Sequence, residues 1–111
     1  MSKNFVQAID LVSIDAATFT GNLQIFNTNG LDEACTIIRI INDCDEDVTI
    51  SYDGTTEHDY VRSGDTLQLD FQQNSLPGGR VSMMKQGTVL WISGAAGTGF
   101  VYLAGYYNAA S

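Results

Sequence analysis

The chain has 111 residues, 44% of them hydrophobic and 16% charged, with a net charge of −8. That length fits one domain with a modest core, and the acidic balance repels phosphates, so no nucleic-acid partner is expected. The opening MSKNFVQAID has no apolar signal region, and no apolar run approaches the roughly 20 residues of a membrane span, so neither a leader nor a membrane partner is expected.

The acids crowd into one half. Residues 1–60 hold eleven Asp or Glu against Lys3 and Arg39, a net of −9; residues 61–111 hold Asp65 and Asp70 against Arg62, Arg80 and Lys85, a net of +1. Such asymmetry can steer neighbouring subunits into register, and it also serves plain solubility.

Phe5 to Ile14 is the first β candidate. Its alternation is loose, which suits an edge strand or an N-terminal arm over residues 1–14. Asp15 to Gly21 is a connection with room for one helical turn. Leu23 to Phe26 is a short strand, and Asn29-Gly30 ends it with a turn that tolerates positive φ.

Cys35 to Tyr60 organises the rest. Thr36 to Ile41 is apolar on both parities except at Thr36 and Arg39, the pattern of a strand buried on both faces. Arg39 is expected to reach an edge or meet a carboxylate. An acidic turn at Asn42–Asp47 leads to Val48–Tyr52, and the pair reads as a β-hairpin. Val48, Ile50 and Tyr52 are expected inside, with Thr49, Ser51 and Asp53 outside. Asp53-Gly54 marks a turn, His58 to Val61 a strand, and Ser63 to Asp65 a turn. Thr66 to Gln72 alternates with Leu67, Leu69 and Phe71 inward.

Gln73 to Gly79 is the most loop-like stretch. Val81 to Lys85 suits a strand or one helical turn. Thr88 to Ile92 is a strand, Ser93 to Gly99 a glycine-rich turn, and Phe100 to Tyr107 the last strand, with Asn108 to Ser111 frayed. Seven to eight short strands without a helix indicate a single all-β domain over residues 1–111, an antiparallel β-sandwich or small barrel.

Cys35 and Cys44, nine residues apart in this layout, would be separated by about 30 Å of extended chain. A disulfide needs Cα atoms within about 7 Å, so both are expected as free thiols, as in a reducing cytoplasm. Asp43, Asp45 and Asp47 form D-x-D-x-D, but the EF-hand positions for Gly and Glu hold Val48 and Gly54. A solvated acidic turn is the main reading and a weak cation site the alternative. The SGAAGTG turn lacks the Lys of a phosphate loop. His58, the one histidine, has no nucleophile elbow to serve and no zinc-spaced cysteines; a hydrogen-bonded strand histidine is expected. Trp91, Tyr102, Tyr106 and Tyr107 suit core or interface anchors, with a sugar platform as the alternative. No catalytic, cofactor or metal set is expected.

IINDCDEDVTISYDGTTEHDYV, a QNS loop and GTVLWISGAAGTGFVYLAGYY together resemble a family of small β-sandwich virion proteins of tailed bacteriophages. The resemblance spans Leu23 to Tyr107, and VTISYDG, His58-Asp59-Tyr60 and GTGFVY are its most specific pieces. It implies a non-enzymatic particle component that folds in the host cytoplasm and assembles in many copies with itself and other virion proteins. Capsid surface, as decoration or cement, head–tail junction and tail all fit. A carbohydrate-binding module of a host-recognition device is the alternative. Candidate interface residues are Phe5, Val6 and Ile9 on the arm, Asp43, Asp45 and Asp47 in the acidic turn, Leu76, Pro77 and Arg80 in and beside the Gln73–Gly79 loop, and Tyr106 and Tyr107 at the end.

Overall fold

The computed structural model describes residues 4–71 and 83–110, with side chains at 6–71 and 83–107. Among the described residues, nine strands form two antiparallel sheets. The first sheet holds β1 (Asn4–Ala8), β2 (Val12–Asp15), β9 (Gly99–Ala110), β4 (Ile37–Cys44) and β7 (Thr66–Asp70). The second has the order β3 (Gln24–Ile25), β8 (Trp91–Gly94), β5 (Val48–Ser51), β6 (Asp59–Val61). Ala16–Thr18 make one 3-10 turn, capped by Asp15.

β1 and β2 both pair with β9 and act as one edge strand with a bulge. Ala8 lies opposite Tyr106 and Val12 opposite Leu103, so Ile9, Asp10 and Leu11 face only Gly105 and Ala104. One extra residue on one side is the definition of a β-bulge. Counting this edge as one strand, the antiparallel pairs nest: β1/β2 with β9, β3 with β8, β4 with β7, β5 with β6. Each pair encloses the next in sequence, and the chain crosses between sheets at every connection except β5–β6. This nesting is jelly-roll topology.

The two sheets close over one core. Ile38, Ile40, Val101 and Leu103 of the first sheet are fully buried, as are Ile50, Leu90 and Ile92 of the second side. Gly105 lets the layers meet: a Cβ there would lie 2.9 Å from Cys35 Sγ and 3.0 Å from Ile9 Cδ1.

The expected β4–β5 hairpin is absent. β4 pairs with β7 and β9, β5 with β6 and β8, and the acidic corner carries the chain from one sheet to the other. Asn42 explains the difference. It belongs to β4 rather than to a turn, and it is completely buried. Its Nδ2 donates to the Glu46 and Val61 carbonyls at 2.9 and 3.1 Å, and its Oδ1 accepts from the Cys44 amide at 3.2 Å. A buried amide so satisfied fixes the corner.

Other expectations shift by a few residues. Ser51 is buried, because the 52–58 loop folds over it. The Thr88–Ile92 strand begins only at Trp91; before it, the Asn27 side chain stands in for a ladder rung, donating to Thr88 O at 3.0 Å and accepting from Leu90 N at 2.7 Å. Residues 108–110 are not frayed but paired with β1. Met84 bridges Cys35; the Gln73–Gly79 loop lies outside the described residues.

Candidate interaction surface

The feature that stands out is the outer face of the first sheet. Strand geometry sends alternate residues to opposite faces. Since Ile38, Ile40, Val101 and Leu103 point into the core, Ile37, Arg39, Ile41 and Asp43 of β4 and Phe100, Tyr102, Ala104 and Tyr106 of β9 point away from it. The register arranges them in rows: Asp43 beside Phe100, Ile41 beside Tyr102, Arg39 beside Ala104, Ile37 beside Tyr106. Phe100 is 42% exposed, and its ring stacks on Tyr102 at a centroid distance of 6.2 Å. A solvated sheet face normally carries polar residues. Here Ile, Phe and Tyr dominate the two central strands.

Arg39 sits in the middle of this face on a central strand, not at an edge. Its Nε is buried and has no hydrogen-bond partner among the described residues. The expected route to an edge or a carboxylate is not taken among the described residues.

The acidic corner is largely engaged internally. Asp45 Oδ1 accepts from the Thr98 amide at 2.8 Å and so holds the glycine-rich turn. Asp47 accepts from the Ser63 amide at 2.9 Å and from the Tyr60 hydroxyl. These bonds, Tyr60's first, hold the Asp47 carboxyl below its usual range. Of the three, Asp43 alone belongs to the apolar outer face. Among the described residues no three His, Cys, Asp or Glu side chains gather to hold a metal.

The remaining candidates scatter. Val6 is 68% exposed on edge strand β1, which also carries Phe5. Ile9 is a correction: continuing the alternation of β1, it turns inward against Gly105 and is 9% exposed. Tyr106 lies on the outer face, whereas Tyr107 has the opposite parity and donates its hydroxyl to Gln7 Oε1 at 2.9 Å. Leu76, Pro77 and Arg80 lie outside the described residues. Trp91 is on the outer face of the second sheet, beside Ile25 and Ser51, so it shares no platform with Tyr102 and Tyr106. It instead supports the β5–β6 loop: Gly54, at φ +81°, lies so close that a Cβ would be 2.7 Å from the indole Cε2.

His58 precedes β6 rather than lying in it. Its Nδ1 accepts from the Tyr52 amide at 3.1 Å, and its Nε2 lies 3.8 Å from Asp53 Oδ2. Asp53 is held well below the usual carboxylate range by the Thr56 and Thr55 amides. The loop is thus a self-contained hydrogen-bonded unit. A cleft of about 440 Å³ opens between the bulge and the Asn27–Asp32 loop. Its ionisable groups are the carboxylates Asp10 and Asp32.

No family model, curated protein or solved structure matches the chain. Its function therefore has to be argued from its surfaces. No helix among the described residues is long and apolar enough to cross a membrane. Both cysteines are free and buried, and burial pushes both thiols up.

Sequence reading missed the outer face as a site. The signal was present: Ile at 37 and 41 as well as 38 and 40, and Phe100 and Tyr102 alternating with Val101 and Leu103. That pattern points to burial on both faces; among the described residues only the inner face is fully buried.

Proposed function

We propose that the chain is a non-enzymatic structural component of a tailed-phage virion, acting through protein–protein contacts at the capsid surface or the head–tail junction. The observation that carries this reading is the apolar outer face of β4 and β9, where Phe100 is exposed and Ile37, Ile41, Tyr102 and Tyr106 are only half-buried among the described residues. Contiguous exposed apolar surface marks contact sites, and aromatic residues with Arg are the residue types enriched in them. Jelly-roll folds occur in viral capsid domains and in lectins alike, so topology supports the particle reading by analogy only. The carbohydrate-binding alternative has to rest on Trp91 or on the tyrosine row separately, since the two lie on opposite sheets.

Mass spectrometry of purified particles from a culture that produces this chain tests the proposal. The expected result is the chain in multiple copies per particle, co-migrating with the capsid or tail proteins. Its presence only in the soluble lysate would count against the proposal.

A further inference from the structure

We infer that a second copy of this chain covers the outer face of the first sheet, stacked on it about a two-fold axis across the strands at the Ile41–Tyr102 row. This rests on the reading above in one respect, that the face is a contact surface, and it names the partner.

The face is complementary to itself about that row. Two residues to one side, Arg39 lies beside Ala104; two residues to the other, Asp43 lies beside Phe100. A two-fold axis in the plane of the interface and perpendicular to the strands reverses strand direction. It therefore brings Arg39 of one copy over Asp43 of the other and Phe100 over Ala104. Each contact occurs twice, as in any isologous interface. The cation meets an exposed carboxylate. The ring of Phe100, 42% exposed, enters the hollow that a methyl side chain leaves between Tyr102 and Tyr106. Ile41 and Tyr102 meet their own counterparts on the axis.

One further observation points the same way. The Nε of Arg39 is buried and has no hydrogen-bond partner among the described residues, and no carboxylate among them pairs with this guanidinium; a carboxylate above the sheet meets the guanidinium at its outer nitrogens. About the Ile41–Tyr102 row, Gly99–Gly105 of β9 and Ile38–Cys44 of β4 overlie their own counterparts, about 24 Å of strand, so the contact is small beside the roughly 800 Å² per partner of a standard interface and is read at tens of micromolar. Sheets stacked face to face at about 10 Å, with strand directions within about 30°, interdigitate side chains of this size.

Sedimentation velocity on the full chain at tens of micromolar tests the inference. The expected species has twice the 12.0 kDa chain mass. Arg39→Asp and Asp43→Arg, each alone, weaken association by at least about tenfold, and the double variant R39D/D43R restores it, because the swap preserves both cross-axis pairs. Ala104→Phe fills the hollow and gives a folded monomer. Circular dichroism melts establish that each variant is folded.

A wild-type chain of single mass, a dimer unaffected by either single substitution, or a folded double variant that stays monomeric would overturn the inference. If the chain is monomeric yet present in particles with this face protected, another virion protein covers it, and the proposed function stands without a second copy. If it dimerises as described but is absent from particles, the inference stands and the virion reading falls.

Discussion

Asn42 carries the crossing between the sheets with one side chain. Replacing it by Leu leaves the Glu46 and Val61 carbonyls and the Cys44 amide without their partner. Buried polar groups left unpaired cost about 1–3 kcal/mol each, but some relax onto water. Asn42→Leu is therefore expected to lower stability by about 3 kcal/mol, read as a fall in the urea midpoint with little change in slope. Gly54→Val forces a side chain onto a backbone at φ +81° and into Trp91; the expected result is a displaced β5–β6 loop and a shifted tryptophan emission at neutral pH. The pH dependence follows from the same loops. Asp53 and Asp47 are both held below their ordinary values by hydrogen bonds, so the unfolded chain binds protons more readily. Their contribution is complete above the unfolded carboxylate value near 4 and is lost as pH falls below it. Asp53→Asn should flatten that acid limb in urea titrations from pH 2 to 7. At the other end, burial first and then the bond to Asp59 push Tyr52 up. The unfolded chain then ionises first, and stability falls as pH rises beyond about 10.

At the scale of strands, the bulge divides one edge into β1 and β2. Because three residues, Ile9–Leu11, face only Gly105 and Ala104, removing one leaves two against two and lets β1 and β2 run as one regular strand along β9 with the same pairs. Deleting Asp10 is expected to keep the 4–8 amides protected in hydrogen exchange, like those of β4 and β9; loss of protection over 4–8 alone would show that the bulge itself is needed to dock this edge. The strands themselves were largely legible: β-branched runs and alternation placed β4, β5, β7 and β9, and the positive-φ glycines Gly30, Gly54, Gly64 and Gly99 sat where turns were read, while Gly87 had no turn assigned. Their pairing was not. An Asn/Asp-rich connection looks the same whether it closes a hairpin or crosses between sheets. The choice was made by partners remote in sequence, Val61 for Asn42 and all of β9 for β4. The late start of β8 has the same cause, since Asn27 reaches Thr88 and Leu90 across sixty residues of chain.

For the molecule as a whole, β4 is informative because it is apolar on both sides in a fold with only two layers. The apolar character of both faces was readable from Ile37, Ile38, Ile40 and Ile41; among the described residues one face is buried and the other only half-buried. The account therefore turns on that face being covered in the assembled state. Hydroxyl-radical footprinting, comparing the free chain with the chain in purified particles, reads this directly. The expected result is strong protection of Phe100, Tyr102, Tyr106 and Ile41 in particles, with Trp91 and Tyr60 on the opposite sheet serving as internal references. Equal modification of the Phe100–Tyr106 row in both states would contradict the account.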